Sequence, residues 1–218
     1  MIRKLLITPW FGRRPEWWAR YEQNASQLHE HGYTWLIESD LAKFTQRVKA
    51  TLGIDSTIHS GTGKVHDYRC TFGELYAEEI ASYDFWGHTD FDCVYGRVEH
   101  FVTDEFLDAL DLHSDAPSYV CGPWTLYRNS PAVNSLFREE RSWPKILSDP
   151  STTGWVESSF SRLVDQHHEA GDLNREYTLW HAYEEASLAR LRWDGDRLMD
   201  GDREVMMAHF RRTKRWPL

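Results

Sequence analysis

Two carboxylates two residues apart, Asp90 and Asp92, stand in the run Asp84-Phe85-Trp86-Gly87-His88-Thr89-Asp90-Phe91-Asp92-Cys93-Val94-Tyr95-Gly96, with apolar stretches on either side. Placed in a turn, both side chains can approach one cation. Mg²⁺ and Mn²⁺ take oxygen ligands and are typically held by one or two carboxylates together with the phosphates of a ligand, rather than by a full protein cage. A diphosphate ligand would complete such a shell. The tripeptide alone fits a solvated turn or a helix cap equally well, so its surroundings decide.

Several other residues have types and spacings suited to a phosphorylated ligand. Asp67 and Arg69 lie two apart just before a helical stretch and could hold hydroxyls and a phosphate, or simply form a surface ion pair. Thr8, Trp10 and Phe11 follow the first apolar run, where a nucleobase can stack on an aromatic ring or pair with the backbone. Asp40 closes the second apolar run. It could hold a base or ribose, or cap the helix that begins at Leu41. His209 lies in Met206-Met207-Ala208-His209-Phe210, an apolar strand whose end would face the same cleft. Beyond it, Arg211, Arg212, Lys214 and Arg215 could grip a diphosphate or belong to a frayed basic tail.

The elements that must position these residues alternate between strand and helix patterns. Leu5 to Thr8 reads as a buried strand, Trp17 to His31 as a helix closed by Gly32, Tyr33 to Ile37 as a strand and Leu41 to Leu52 as a helix. Glu74 to Ser82 reads as a helix and Asp84 to His88 as a strand. Thr103 to Leu110 reads as a helix capped by Thr103, with Asp104 and Glu105 in its first turn. Further on, Ser118 to Cys121, Thr125 to Tyr127 and Val205 to Phe210 read as strands. Val156 to His168 and Leu179 to Trp193 read as helices. This alternation predicts one α/β domain over residues 1–218, a mixed Rossmann-like sheet flanked by helices, with ligands in the crevice beyond the carboxyl ends of the strands.

Composition sets the outer limits. The chain has 218 residues, 25 Lys+Arg against 34 Asp+Glu, and a formal net charge of −9. Such a balance lacks the broad basic surface a nucleic-acid partner requires. No run of about 18 apolar residues suggests a membrane-spanning helix, although the Arg/Lys/Trp tail leaves peripheral membrane contact open. Cys70, Cys93 and Cys121 form no Cys-x-x-Cys pair, which argues against a disulfide framework or a structural zinc site and for a reducing cytoplasm. P-loop, Gly-x-Gly-x-x-Gly and Gly-x-Ser-x-Gly motifs are absent.

The block Phe85-Trp86-Gly87-His88-Thr89-Asp90-Phe91-Asp92-Cys93-Val94-Tyr95-Gly96 resembles that of small bacterial and viral GT-A-type nucleotide-sugar glycosyltransferases. So do Thr8 to Gly12, Lys64 to Arg69, Phe72 to Tyr76, Gly122 to Asn129 and the terminal His209-Phe210, in the same order. The resemblance implies a GT-A-like fold and metal-dependent transfer of a sugar from a nucleotide diphosphate donor, UDP first, to a glycan or other hydroxyl acceptor. It implies Mn²⁺ or Mg²⁺ as cofactor, with Asp90 contacting the donor, Asp92 binding the metal, and His209 closing over it as a late ligand. Asp90 also counts among the metal's neighbours. Donor contacts are implied for Asp67, Arg69 and Lys214, and are expected from position for Thr8, Trp10, Phe11 and Asp40.

Sugars present C–H faces that pack on aromatic rings, and among 11 tryptophans Trp124 and Trp155 are expected beside the acceptor. An inverting transfer needs a carboxylate base for the acceptor hydroxyl. Glu157 is the candidate, with Asp149 and Asp165 as substitutes, and its ordinary alternative is a first-turn helix acid. A retaining reaction needs no such base. Two other functions compete: a non-catalytic carbohydrate-binding protein, and a divalent-metal phosphohydrolase.

Overall fold

The structure is a computed structural model that describes residues 1–60, 63–151, 153–183 and 190–210. Its centre is a six-stranded sheet. The strands in chain order are β1 (Lys4–Pro9), β2 (Tyr33–Glu38), β3 (Phe85–Thr89), β4 (Cys93–Tyr95), β5 (Leu112–Ser114), β6 (Trp124–Arg128), β7 (Arg175–Tyr177), β8 (His181–Tyr183), β9 (Leu191–Asp194), β10 (Arg197–Asp200), β11 (Arg203–Glu204) and β12 (Met207–His209). The main sheet runs β2-β1-β3-β6-β5-β7, and two three-stranded sheets, β11-β10-β9 and β4-β12-β8, sit beside it. β1 pairs in parallel with both β2 and β3, whereas β6 runs antiparallel to β3 and β5. The expected mixed α/β sheet is therefore present.

The centre of β1, Leu5 to Ile7, is apolar on both faces because both are covered. Leu5 and Ile7 face one half of the core and Leu6 the other, the period-two alternation of a strand. Helix α1 (Trp18–Ser26) and the 3₁₀ turn Gln27–His31 cover the Leu6 side, and Gly32, with φ +80°, closes them in the left-handed conformation that glycine adopts without strain. Helix α2 (Leu41–Leu52) covers the other side with Phe44, Val48 and Leu52 spaced four apart on one face. Each such burial contributes about 1.5–3 kcal/mol.

Three local readings are corrected. Ser118 to Cys121 forms no strand; β6 pairs instead with β3 and with β5, whose Leu112, His113 and Ser114 are all buried. Leu179 to Trp193 contains strands β8 and β9, with 184–189 outside the described residues. The described parts on either side are held extended by their ladder partners, β12 for β8 and β10 for β9. Glu74 to Ser82 divides into two short turns, Phe72–Leu75 and Ala77–Ile80, separated at Tyr76. Among the described residues no helix is long and apolar enough to cross a membrane.

Candidate active site

From β1 the chain goes to β2 on one flank, while β3 lies on the other. Loops leaving the carboxyl ends of β1 and β3 therefore part from each other, and the gap between them is where an open α/β sheet places a ligand. A cleft of about 630 Å³ occupies that gap, with Thr8, Trp10 and Phe11 on one wall and Arg69, Asp90, Asp92, Glu157 and His209 on the other. Trp10 is half-buried, edge-on to Phe91 at 5.3 Å, and Phe11 leans on Phe44 at 5.3 Å.

Asp90 and Asp92 sit in the turn between β3 and β4. One oxygen of Asp90 is held by the Arg69 guanidinium, and the other lies 3.5 Å from His209 Nε2. The same Nε2 is 3.3 Å from Asp92 Oδ1. A strand ladder fixes this meeting: β12 pairs antiparallel with β4, His209 opposite Cys93, and the Phe210 amide donates to the Asp92 carbonyl at 2.7 Å. Asp92, Cys93 and His209 bring one oxygen, one sulfur and one nitrogen within 4.8 Å of one another. This donor set fits a divalent cation.

Burial, the largest single influence, would raise the Asp90 carboxyl, but Arg69, His66 and His209 together outweigh it and hold the group well below the usual carboxylate range. Asp90 is thus a fixed anion. His66, on the cleft wall, is pushed down to about 4, chiefly by Arg69 and then by desolvation, so it is a neutral hydrogen-bonding group at ordinary pH. Behind Arg69, the buried His88 is driven well below its ordinary value by desolvation and then by the same guanidinium. Its Nδ1 donates to the Gly122 carbonyl at 3.2 Å, leaving Nε2 to accept from the Tyr127 hydroxyl at 3.3 Å. Gly122 has no Cβ because Arg69 occupies that space.

Glu157 is exposed, on the rim between the main cleft and a side pocket of about 140 Å³ that His66, Arg69, Gly122 and Gly154 help to line. It belongs to a π-helical turn, Val156–Phe160, a distortion that often accompanies functional sites. The preceding loop is pinned from below: Asp67 accepts from the amides of Thr153 at 2.9 Å and Trp155 at 3.1 Å, and from Lys64 Nζ at 3.0 Å.

Four expectations about individual residues change accordingly. Asp67 is buried with both oxygens engaged, braces the loop, and borders the side pocket instead of the main cleft. Asp40 is the helix cap: its Oδ1 accepts from the Lys43 amide at 3.0 Å, outside the cleft. Trp124 is fully buried between Tyr33 and Tyr95, and Trp155 is buried in the core below the loop, so neither ring can meet an acceptor. The carboxyl-end basic residues, Lys214 among them, lie outside the described residues. Asp149 binds Ser151 and Asp165 binds Arg175, both away from the cleft.

Cys93 and His66 carry no functional reading in the sequence. The signal for Cys93 is its position next to Asp92 at the start of a strand that must pair with the His209 strand. For His66 it is the spacing of three residues from Arg69 across one 3₁₀ turn.

The fold and cleft define a mixed α/β protein with a ligand-sized crevice at its strand ends. Over 97% of this chain and 94% of that one, the structure superposes with a TM-score of 0.58 on a glycosyltransferase involved in the glycosylation of the major capsid of PBCV-1, at 11% sequence identity. The chain belongs to the family of unknown function DUF6625, which matches residues 33–215. No curated protein matches the sequence.

Proposed function

We propose that the protein is a metal-dependent glycosyltransferase that moves a sugar from a nucleotide diphosphate donor, UDP-linked first, to a glycan or other hydroxyl acceptor. The observation that carries this reading is the meeting of Asp90, Asp92 and His209 at the strand ends of a 630 Å³ cleft, in a fold shared with a glycosyltransferase. Asp92 and His209 would hold Mn²⁺ or Mg²⁺, which neutralises the charge that grows on a departing diphosphate.

The remaining groups divide the work by position. Trp10 and Phe11 offer ring faces to the base, and Thr8 lies below them at the end of β1. Arg69, anchored by Asp90 and backed by Gly122, supplies fixed positive charge beside the diphosphate. Neutral His66 can donate to and accept from sugar hydroxyls without adding a second cation. Glu157 stands at the rim where solvent and acceptor both reach it, and as a carboxylate it would take the proton of the attacking hydroxyl in an inverting reaction.

Thermal unfolding with UDP-, GDP-, dTDP- and CMP-sugars, each with and without Mn²⁺, tests the proposal, since a ligand bound only by the native state raises the midpoint. One nucleotide should shift the midpoint only when Mn²⁺ is present. Asp92→Ala should remove that shift and the Mn²⁺-dependent turnover of the same donor, and His209→Ala should weaken both. Full activity in Asp92→Ala would overturn the reading.

A further inference from the structure

A third potential cation ligand lies beside Asp92 and His209. Of the three buried cysteines, Cys121 has its sulfur 3.3 Å from the Asp115 carbonyl and 3.2 Å from that of Trp124, and Cys70 lies 3.9 Å from the Asp67 carbonyl. Cys93 differs, because its sulfur belongs to the cluster with an Asp92 oxygen and a His209 nitrogen, all within 4.8 Å. The placement comes from the backbone: Cys93 follows Asp92 directly and is the ladder partner of His209.

We propose that Cys93 supplies a thiolate ligand to the cation bound by Asp92 and His209, making this an oxygen-nitrogen-sulfur site selective for thiophilic divalent ions over Mg²⁺. Thiolate and imidazole favour Zn²⁺ and similar ions, whereas Mg²⁺ demands oxygen. Donors bound to one such ion stand about 3–4 Å apart, so the cluster closes by side-chain rotation, and the thiol proton leaves to solvent as the ion enters. Mn²⁺ would serve the transfer reaction at such a site, Mg²⁺ would serve it poorly, and Zn²⁺ would compete for it. The inference rests on the reading of Asp92 and His209 as cation ligands, but its test does not depend on glycosyl transfer.

Metal-free protein titrated with Cd²⁺ should develop the ultraviolet thiolate-to-cadmium charge-transfer band, saturating at one ion per chain. The band should persist in Cys70→Ser and Cys121→Ser, vanish in Cys93→Ser, and need at least tenfold more Cd²⁺ in Asp92→Asn or His209→Ala. Zn²⁺ should abolish it, and Mg²⁺ in about thousandfold excess should not. Should Cys93→Ser fail to fold, cadmium NMR of the wild type separates one sulfur ligand from an all-oxygen shell. Absence of the band in the wild type, or its survival in folded Cys93→Ser, overturns the proposal. A Cys93-dependent band without any nucleotide-sugar binding would leave the cation site standing and remove the transferase reading; turnover with Mn²⁺ but no band would do the reverse.

Discussion

One short 3₁₀ segment, Gly63–Thr71, supplies two ion pairs of opposite character. Lys64 and Asp67 are 0% and 1% exposed, and Asp67 spends its oxygens on Lys64 and two loop amides. Arg69 and Asp90 are 8% and 16% exposed and line the cleft, with one Asp90 oxygen turned toward His209 instead of into the core. Each pairs a basic side chain with an aspartate; what separates them is how many hydrogen-bonding positions remain for something outside the protein. A closed node holds the wall up, and an open one is available for chemistry.

Removing the acid from each pair separates the two nodes by stability. Asp67→Ala leaves the Lys64 ammonium buried with the Ile146 carbonyl, 2.6 Å away, as its remaining partner. Breaking a buried pair costs about 3–5 kcal/mol, equivalent to a fall in Tm of about 10 °C for a chain of this size. Asp90→Ala should cost less than half as much, because Arg69 can turn into the cleft and be hydrated. Urea unfolding of both variants decides the matter, and equal losses would erase the distinction between the two nodes.

The same contrast explains what the sequence revealed. The Asp90/Asp92 turn and the strand carrying His209 were legible because apolar runs bracketed them, and the ends of such runs are where a sheet leaves polar groups. α2 was legible to the residue because Asp40, Phe44, Val48 and Gly53 signal a cap, a face and a stop. Asp67 and Arg69 were indistinguishable in sequence: only the loop around Thr153 and Trp155, 86 and 88 residues further along, shows that Asp67 is used up. Trp124 and Trp155 misled for a related reason, since tryptophan serves a core and a sugar site through the same ring. Cys93 acquires its neighbours from a pairing with β12 that no local pattern encodes.

The closed interior is also sensitive to acid. His113 is fully buried, with Nε2 donating to the Thr178 hydroxyl at 3.0 Å while that hydroxyl donates to Asp115. Desolvation pushes His113 from its ordinary 6.5 down to about 4. Between those values the unfolded chain binds a proton that the folded chain refuses, so stability is intact above pH 6.5 and falls as pH drops toward 4. The loss amounts to about 3 kcal/mol from this group, and buried His88 adds to it with the same sign. His113→Gln keeps a donor for Thr178 and removes the titration. Urea midpoints measured from pH 7 to pH 4.5 should therefore fall less steeply in the variant; an unchanged slope would mean that His113 carries its proton in the fold.

The smallest effect is the most selective one, and it compares two glycines. At Gly87 an added Cβ runs into the backbone carbonyl of Thr125 on the neighbouring strand, which cannot yield without parting β3 from β6. At Gly122 the obstacle is the Arg69 guanidinium, the far end of a flexible side chain, with Asp90 Oδ2 at an ordinary 3.6 Å. Gly87→Ala should thus lower Tm, whereas Gly122→Ala should leave the fold in place and push Arg69 off the geometry in which Asp90 holds it. Under the proposed function the displaced guanidinium no longer meets the diphosphate, so the donor KM should rise about tenfold, the loss of roughly one charge-assisted hydrogen bond. Because Glu157 and Asp92 are untouched, kcat should change much less. A Gly122→Ala enzyme with lowered Tm and unchanged KM would place Gly122 with the closed wall, and Arg69 with it.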